Sequence, residues 1–262
     1  MPTTASGGAA FFDLDGHVAL VTGGNGGIGL AFARGLVKAG ARVALWGRNA
    51  DKNAAAVRDL EALGGDVAAF VCDVVDRRQV EQAFAATLER FGLVDSVFAN
   101  AGASGKSGML HQLGADDWQW IVDTNLGSVV NTYQVAIDHL LARKAGGKLV
   151  VTSSAAALLG TGYRSGYSTT KAAVMGLTRA LAVELGPHGI QVNAVLPGYV
   201  ETDITVDTPQ AFKDACLRRS CIGRVGTLDD MEGVAVFLAS RQSDYMTGQG
   251  LVLDGGQTIY PL

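Results

Sequence analysis

Short runs of β-branched and apolar residues alternate with longer amphipathic segments along most of the chain, and this alternation limits the folds available to it. The runs predict seven strands: Val18–Thr22, Arg42–Trp46, Val67–Cys72, Asp95–Ala99, Lys148–Ser153, Ile190–Val195 and Gly250–Leu253. Several runs are almost entirely apolar, which is typical of strands buried on both faces of a parallel sheet. We therefore predict an α/β fold with a doubly wound, seven-stranded parallel sheet flanked by helices.

The length of 262 residues suits one α/β domain of generous size. We expect this domain to span 13–262 and to follow a flexible tail at 1–12, where most residues are small. The connection at about 199–224 is too long for an ordinary loop. Such insertions are usually mobile covers over a binding site, so we predict a substrate lid here.

Charge and hydropathy argue against several classes of protein. The formal net charge of −4 does not suit a nucleic-acid-binding surface. No apolar stretch is long enough to cross a bilayer, and the chain does not start like a secretory signal, so we expect a cytoplasmic protein. The three cysteines lack metal-ligand spacing and the four histidines are scattered, so we expect no metal site.

A glycine-rich segment joins the first predicted strand to the first predicted helix. It reads Thr22-Gly23-Gly24-Asn25-Gly26-Gly27-Ile28-Gly29. Glycines let the backbone turn tightly and approach a pyrophosphate, whose charge the N-terminus of the next helix stabilises. The strand–turn–helix context therefore predicts a dinucleotide site contacted by Gly23, Asn25, Gly27, Ile28 and Gly29.

A second group of residues combines Tyr167, Lys171 and Ser154. Residues four apart share one face of a helix, so the Tyr167 phenol and the Lys171 ammonium point into one space. A free phenol titrates near ~10, and we expect the lysine cation to lower the pKa of Tyr167 towards neutrality. Ser154 stands thirteen residues before Tyr167, just beyond the fifth strand. Ser153 would point to the opposite side of the strand, and Tyr163 has no lysine four residues later.

The Gly-x-x-x-Gly-x-Gly spacing after Thr22, together with the Ser/Tyr/Lys set, resembles the short-chain dehydrogenase/reductase family. The resemblance implies a Rossmann-type fold and hydride transfer between a nicotinamide dinucleotide and a carbonyl or alcohol. It implies that Tyr167 is the acid in reduction and the base in oxidation, and that Ser154 holds the substrate oxygen. Lys171 would also hold the nicotinamide ribose. Asn125 matches the family residue that kinks the preceding helix and retains a proton-relay water.

The same resemblance extends the cofactor site beyond the glycine-rich segment. Asp73-Val74 matches the family's adenine contact, and Asn100-Ala101-Gly102 matches its Asn-Ala-Gly turn. Pro197-Gly198, followed by Val200 and Thr202, resembles the Pro-Gly turn and the threonine that binds the carboxamide. Tyr167 and Lys171 complete this set of cofactor contacts.

The end of the second strand bears on which dinucleotide is used. An acidic residue there would favour NAD(H) by accepting hydrogen bonds from the ribose hydroxyl. The stretch Leu45-Trp46-Gly47-Arg48-Asn49 has no acid, and Arg48 can hold a 2′-phosphate instead. We therefore predict NADP(H), with NAD(H) as the alternative.

Local stretches resemble the gluconate dehydrogenase branch of the family: Trp46-Gly47-Arg48-Asn49-Ala50, Phe237-Leu238-Ala239-Ser240 and Gly248-Gln249. This resemblance implies that a secondary alcohol and a ketone are interconverted on a polyol, sugar or sugar acid. A substrate carboxylate would need a cation, for which Lys106 and Arg164 are candidates.

Two other functions stay open. A beta-ketoacyl carrier-protein reductase shares these motifs but needs a basic docking surface, of which this acidic sequence gives no sign. A non-catalytic dinucleotide-binding regulator would tolerate loss of Tyr167 or Lys171, and both are present. Family members usually assemble through the helices bearing Asn125 and Tyr167, so the resemblance implies a homotetramer acting on a small carbonyl or alcohol substrate.

Overall fold

Seven strands form one sheet in a computed structural model that describes residues 11–202, 205 and 208–259. The strands are β1 (Val18–Thr22), β2 (Arg42–Gly47), β3 (Val67–Val71), β4 (Ser96–Ala99), β5 (Gly147–Thr152), β6 (Ile190–Pro197) and β7 (Gly250–Leu253). Every neighbouring pair is parallel, and the order is β3-β2-β1-β4-β5-β6-β7. The predicted fold class is confirmed, and each predicted strand boundary lies within two residues of the observed one.

Helices cover both faces of the sheet. They are α1 (Gly27–Lys38), α2 (Ala50–Glu61), α3 (Arg77–Phe91), α4 (Ala115–Val122), α5 (Ser128–Arg143), α6 (Ser165–Leu185), α7 (Gln210–Arg218) and α8 (Glu232–Ala239). Phe84 of α3 and Leu140 of α5 belong to the core on one face, and Phe32 of α1 and Leu238 of α8 to the core on the other. None of the helices in the described part of the chain combines the length and apolar character that a membrane span requires.

Burial of the strands follows their position in the sheet. All residues of β1 and β4, which lie in the middle, are buried. In β3 and β7, which form the edges, most residues are only partly buried, and Val252 is 40% exposed. Burial on both faces is therefore observed for the central strands and not at the two edges of the sheet.

The chain reverses its direction of winding between β1 and β4. It runs from β1 outwards to β2 and β3 and then returns to place β4 on the other side of β1. A reversal of this kind opens a crevice at the carboxyl ends of the two strands, where ligands of doubly wound sheets bind. Thr22 ends β1 at this crevice, and Asn100 follows β4 directly.

A π-helical turn over Asp123–Gly127 separates α4 from α5. Asn125 lies inside this turn, in agreement with the predicted irregularity of the helix. Such turns inside longer helices are frequent at functional sites. The two tryptophans of α4 differ: Trp118 lines a crevice, whereas Trp120 is half exposed.

At the amino ends of β1 and β4, a polar cluster closes the opposite edge of the sheet. His17 Nε2 lies 2.8 Å from Ser96 Oγ. Asp95 accepts hydrogen bonds from the Val18 N–H (2.9 Å) and from Arg143 Nη2 (2.6 Å). Burial lowers the pKa of His17, and the charge of Asp95 opposes this effect. The folded protein therefore favours the neutral imidazole.

This preference predicts a loss of stability in mild acid. Because the pKa of His17 is lower in the folded state than its ordinary value of 6.5, its contribution is complete above that pH and is lost as the pH falls. His17→Gln should weaken the pH dependence of the free energy of unfolding between pH 7 and 5, by up to about 1.4 kcal/mol per pH unit. Denaturant melts at several pH values would measure it. His188→Gln, at an exposed histidine, should behave like the wild type; equal slopes for His17→Gln and wild type would contradict the assignment.

Candidate active site

The glycine-rich segment forms a tight turn between β1 and α1. Gly23 and Gly27 have φ angles of +63° and +51°, a region that favours glycine. A Cβ atom on Gly29 would lie 2.3 Å from the Gly23 carbonyl oxygen and 2.5 Å from Asn100 Nδ2. No side chain caps the start of α1 at Gly26, and its first turn holds no acidic residue. The first N–H groups of the helix are thus left for an anion, which fits the pyrophosphate of a dinucleotide.

The two other predicted cofactor contacts in this segment, Ile28 and Asn25, have side chains that contact the rest of the protein. Ile28 is partly buried and packs against the core on the α1 face. Asn25 Nδ2 donates a hydrogen bond to Asn53 Oδ1 (2.6 Å). Asn53 in turn donates to the Gly47 carbonyl (3.0 Å), and a Cβ on Gly47 would lie 2.3 Å from Asn25 Nδ2. The end of β2 is therefore held tightly against the cofactor loop.

Asn53 was missed by sequence reasoning. It is 4% exposed and lies on the buried face of α2, so a polar residue within the apolar stripe of that helix was the available signal. Its amide also donates to the Phe70 carbonyl of β3 (3.3 Å). One side chain thus connects two strand ends and the glycine-rich loop.

The predicted adenine and phosphate contacts lie where β2 and β3 end. Arg48 has a side chain that is 75% exposed, and its Nη1 lies 4.0 Å from Asp73 Oδ2. Val74 is buried beside Asp73. Asn131 of α5, also missed by sequence reasoning, donates from Nδ2 to the carbonyls of Val74 and Val75, each at 3.1 Å. It fixes the backbone of this loop.

Asn100, Ala101 and Gly102 lie beside the glycine-rich loop, as the resemblance implied. The N–H groups of Asn100 and Ala101 both donate to Thr22 Oγ1 at 3.0 Å. A Cβ on Gly102 would lie 2.9 Å from Asn125 Oδ1 and 3.4 Å from Lys171 Nζ. The turn after β4 therefore reaches from the cofactor loop to the predicted catalytic residues.

The structure brings Ser154, Tyr167 and Lys171 together. Ser154 follows β5, and the other two lie in the first turns of α6. The Ser154 hydroxyl lies close enough to the Tyr167 phenol to lower its pKa. Lys171 Nζ lies 5.8 Å from the centroid of the Tyr167 ring and donates to the Thr152 carbonyl (2.8 Å). Ser153 Oγ instead donates to the Lys171 carbonyl (2.7 Å), which agrees with its exclusion as a catalytic candidate.

The pKa of Tyr167 differs from the sequence expectation. Burial raises it, and the opposing influences are the nearby Ser154 hydroxyl and the positive charge of Arg164. The Lys171 ammonium donates to the Thr152 carbonyl. Burial also lowers the pKa of Lys171, to about 8. Both side chains are therefore shifted towards their neutral forms.

Asn125 is 1% exposed and holds the loop after β4 against α6. Its Oδ1 accepts from the Ala103 N–H (2.8 Å), and its Nδ2 donates to the Ala103 carbonyl (2.9 Å) and to Thr170 Oγ1 (3.3 Å). All four predicted catalytic side chains thus lie in one region at the carboxyl edge of the sheet.

Pro197 ends β6, and Gly198 turns the chain towards the cofactor loop. A Cβ on Gly198 would lie 2.7 Å from Asp254 Cα, so this position has no room for a side chain. Val200 is buried. Thr202 is close to the glycine-rich loop, because a Cβ on Gly27 would lie 3.7 Å from its side chain.

The predicted lid at about 199–224 is described except for 203–204 and 206–207, and the predicted tail lies outside the described residues up to 10. The lid segment contains α7, whose Phe212 ring lies 6.1 Å from the Tyr199 ring. Arg224 closes the segment with hydrogen bonds of 2.6 and 2.7 Å to Asp230. Its role as a lid stays a prediction.

Over the described part of the chain, no three His, Cys, Asp or Glu residues are grouped as a metal site would need.

Fold and site together describe a dinucleotide-binding α/β protein, and comparisons with known proteins agree. A family model described as Enoyl-(Acyl carrier protein) reductase matches residues 23–258. Gluconate 5-dehydrogenase from Gluconobacter oxydans (strain 621H) is 37% identical over 250 residues, which cover 95% of this chain and 97% of that protein. 3-oxoacyl-(acyl-carrier-protein) reductase FabG from Chlamydia pneumoniae is 35% identical over 245 residues, covering 94% and 98%.

Solved structures show the same relationship. A short-chain type dehydrogenase/reductase from Mycobacterium marinum has a TM-score of 0.91 at 34% identity, over 95% of this chain and 98% of that chain. A 7 alpha-hydroxysteroid dehydrogenase, solved with NADH and 7-oxo glycochenodeoxycholic acid, has a TM-score of 0.89 at 28% identity, over 94% and 95%. This chain belongs to the short-chain dehydrogenase/reductase family of nicotinamide-dependent oxidoreductases.

The close approach at Gly29 predicts the effect of adding one methyl group. In Gly29→Ala the new Cβ must displace the Gly23 carbonyl or the Asn100 amide, which costs about 1–3 kcal/mol. We expect a lower melting temperature and dissociation constants for NADPH and NADH raised by about tenfold or more. Thermal melts and fluorescence titration would measure both. Gly233→Ala in α8, where no atom lies within 4 Å of the added Cβ, is the control and should bind normally. Normal binding by Gly29→Ala would show that the loop tolerates a side chain.

Proposed function

We propose that this oxidoreductase interconverts a secondary alcohol and a ketone on a polyol, a sugar or a sugar acid. The observation that carries the proposal is the joining of Ser154, Tyr167 and Lys171 beside the glycine-rich loop. The similarity to gluconate 5-dehydrogenase over nearly the whole chain supports this class of substrate.

The bound nicotinamide ring would supply or accept the hydride. Tyr167 would donate its proton to the carbonyl oxygen in reduction and remove the hydroxyl proton in oxidation. Burial favours the neutral phenol, which is the form required for donation. Ser154, whose hydroxyl lies near the Tyr167 phenol, would hold the substrate oxygen next to it.

Lys171 and Asn125 would position the cofactor and the loop after β4 around Tyr167 and Ser154. The Lys171 ammonium, already bonded to the Thr152 carbonyl, has two further N–H groups with which to hold the ribose hydroxyls. Asn125 fixes Ala103 and lies beside Gly102, so it sets the distance between the loop after β4 and α6. The cofactor contacts at the glycine-rich loop, at Asp73-Val74 and at Thr202 belong to the same proposal.

We propose NADP(H) as the preferred cofactor, with NAD(H) as the alternative. No acidic side chain stands at the end of β2 to accept hydrogen bonds from a free ribose. The guanidinium of Arg48 lies at that strand end and is 75% exposed, and its contact with Asp73 is long (4.0 Å), so a 2′-phosphate would compete well for it.

A carrier-protein reductase is the second candidate, because FabG from Chlamydia pneumoniae is 35% identical to this chain. A β-ketoacyl thioester would then be the substrate in place of a sugar.

By family resemblance we also propose a homotetramer, formed through α5 and α6, and a cytoplasmic location. The apolar Val183 of α6, which is 79% exposed in the single chain, supports a contact there.

A substrate screen with a catalytic variant tests the reaction. Wild-type enzyme should oxidise at least one polyol, sugar or sugar acid with NADP+ or NAD+, followed by absorbance of the reduced nicotinamide. Tyr167→Phe should lower kcat by about 10²–10⁴-fold, because it removes the acid–base group. Its dissociation constant for the dinucleotide should change little.

Tyr245→Phe, at an exposed tyrosine, is the matched control and should keep wild-type activity. Turnover of β-ketoacyl thioesters alone would favour the carrier-protein reductase. Tight dinucleotide binding without any hydride transfer would favour a non-catalytic regulator, and full activity in Tyr167→Phe would refute the acid–base assignment.

Reversing one charge tests the cofactor preference. Arg48→Asp removes a partner for the 2′-phosphate and adds an acceptor for the ribose hydroxyl, so kcat/KM for NADP(H) relative to NAD(H) should fall by about 10–100-fold. Steady-state kinetics with both cofactors would measure the ratio. Arg58→Asp, at an exposed arginine of α2, should leave it unchanged. An unchanged ratio in Arg48→Asp would count against Arg48 as the phosphate ligand.

A further inference from the structure

Lys106 lines the crevice on one side of Tyr167, and Arg164 bonds to the backbone of the same wall, but the surroundings of these two cations differ. Ser104, Gly105 and Lys106 of the loop after β4 line this crevice together with Trp118 of α4. Lys106 belongs to its wall, and Arg164 holds the backbone of that wall from the start of α6. Both side chains are candidates for contact with a charged substrate.

Lys106 already has an acidic partner. Its Nζ lies 2.8 Å from Asp117 Oδ2 in the first turn of α4. The same carboxylate accepts from the Gly114 N–H (3.2 Å). The hydrogen bond with Lys106 lowers the pKa of Asp117, so the carboxylate stays charged. A substrate anion that binds Lys106 would therefore have to displace the Asp117 carboxylate, which the Gly114 N–H also holds.

Arg164 has no such partner: among the residues that the structure describes, no carboxylate lies within ion-pair distance of its guanidinium. Its Nη1 donates to the carbonyls of Ser104 (3.2 Å) and Gly105 (2.9 Å), and its Nε and Nη2 form no hydrogen bond with described residues. Nε and Nη2 together make the side-on edge of the guanidinium. The spacing of these donors matches the two oxygens of a carboxylate.

The backbone before α6 holds Arg164 in position. Tyr163 has a φ angle of +63°, which is unusual for a bulky residue. Its carbonyl accepts from the Gly108 N–H (3.0 Å) and from Ser107 Oγ (3.3 Å). Tyr163 and Arg164 are therefore both hydrogen-bonded to the loop after β4. A guanidinium held in this way loses little conformational freedom when it binds an anion.

We propose that Arg164 determines substrate specificity by binding a carboxylate through its Nε–Nη2 edge, so that the enzyme prefers hydroxy or keto acids to their uncharged analogues. This inference rests on the proposed function and narrows it to acids. Arg164 and Tyr167 lie within one turn at the start of α6. An anion bound to Arg164 would thus orient the remainder of the substrate relative to the phenol.

Matched acids and amides separate charge recognition from effects on the loop. We would measure kcat/KM for gluconate and related aldonic acids, each beside its primary amide, in wild type, Arg164→Gln, Arg164→Lys and Lys106→Gln. In Arg164→Gln the value for the acid should fall by about 10–100-fold, as for the loss of a hydrogen bond to a charged group. The value for the amide should fall by less than about threefold. Arg164→Lys should recover part of the loss, since it keeps the charge without the planar fork.

Lys106→Gln should keep the wild-type ratio of acid to amide. An equal loss for acid and amide in Arg164→Gln would overturn the proposal and leave Arg164 a role in holding Ser104 and Gly105. A wild-type preference for amides, or loss of the acid preference in Lys106→Gln, would overturn it as well. If acids are not turned over but neutral alcohols are, in a reaction that Tyr167→Phe abolishes, the carboxylate site is wrong and the proposed reaction class holds. If no substrate shows such a reaction, the proposed function itself fails.

Discussion

The hydroxyl of Thr22 joins the carboxyl ends of β1 and β4, and both halves of the candidate site depend on it. Thr22 Oγ1 accepts two backbone N–H groups after β4, and the Asn100 side chain donates back to the Thr22 carbonyl (3.2 Å). Asn100 Oδ1 also accepts from Thr152 Oγ1 of β5 (3.0 Å). Three strand ends are thus connected by buried polar groups, each of which would be costly to leave unpaired. Because Gly29 fits against Asn100, the cofactor loop is built on the same connection.

Burial has opposite effects on the pKa values of Tyr167 and Lys171, the two groups proposed to carry the chemistry. It raises the pKa of Tyr167 and lowers the pKa of Lys171, so both are shifted towards neutral forms. A site of this kind is suited to moving a proton, because neither the phenol nor the amine is held in one charge state by a strong partner. Arg164, which stands before α6, is a positive charge that lowers the pKa of Tyr167. The start of this helix therefore affects the electrostatics of the phenol.

The parts predicted from sequence are those with local signals. Strand positions follow from short apolar runs, and the tight turn before α1 follows from glycines between a strand and a helix. Asn53 and Asn131 were missed, since their importance lies in carbonyls from distant strands and loops that only the fold brings near. The spacing of Tyr167 and Lys171 places them on one helical face, but it does not say that Lys171 Nζ turns to the Thr152 carbonyl. Only the fold decides that direction.

The sequence alone also does not distinguish Lys106 from Arg164 as the residue that would contact the substrate. In the sequence Lys106 and Arg164 are equivalent candidates, since each is a basic residue near a recognised motif. Their difference is tertiary: α4 brings Asp117 to Lys106, whereas carbonyl groups of the loop after β4 hold one side of Arg164. Carbonyl oxygens orient a guanidinium without neutralising it, so its charge remains available to an anion. Substrate selection and acid–base chemistry are then coupled through one helical turn, because the residue that orients the anion is fixed to the same backbone as the phenol.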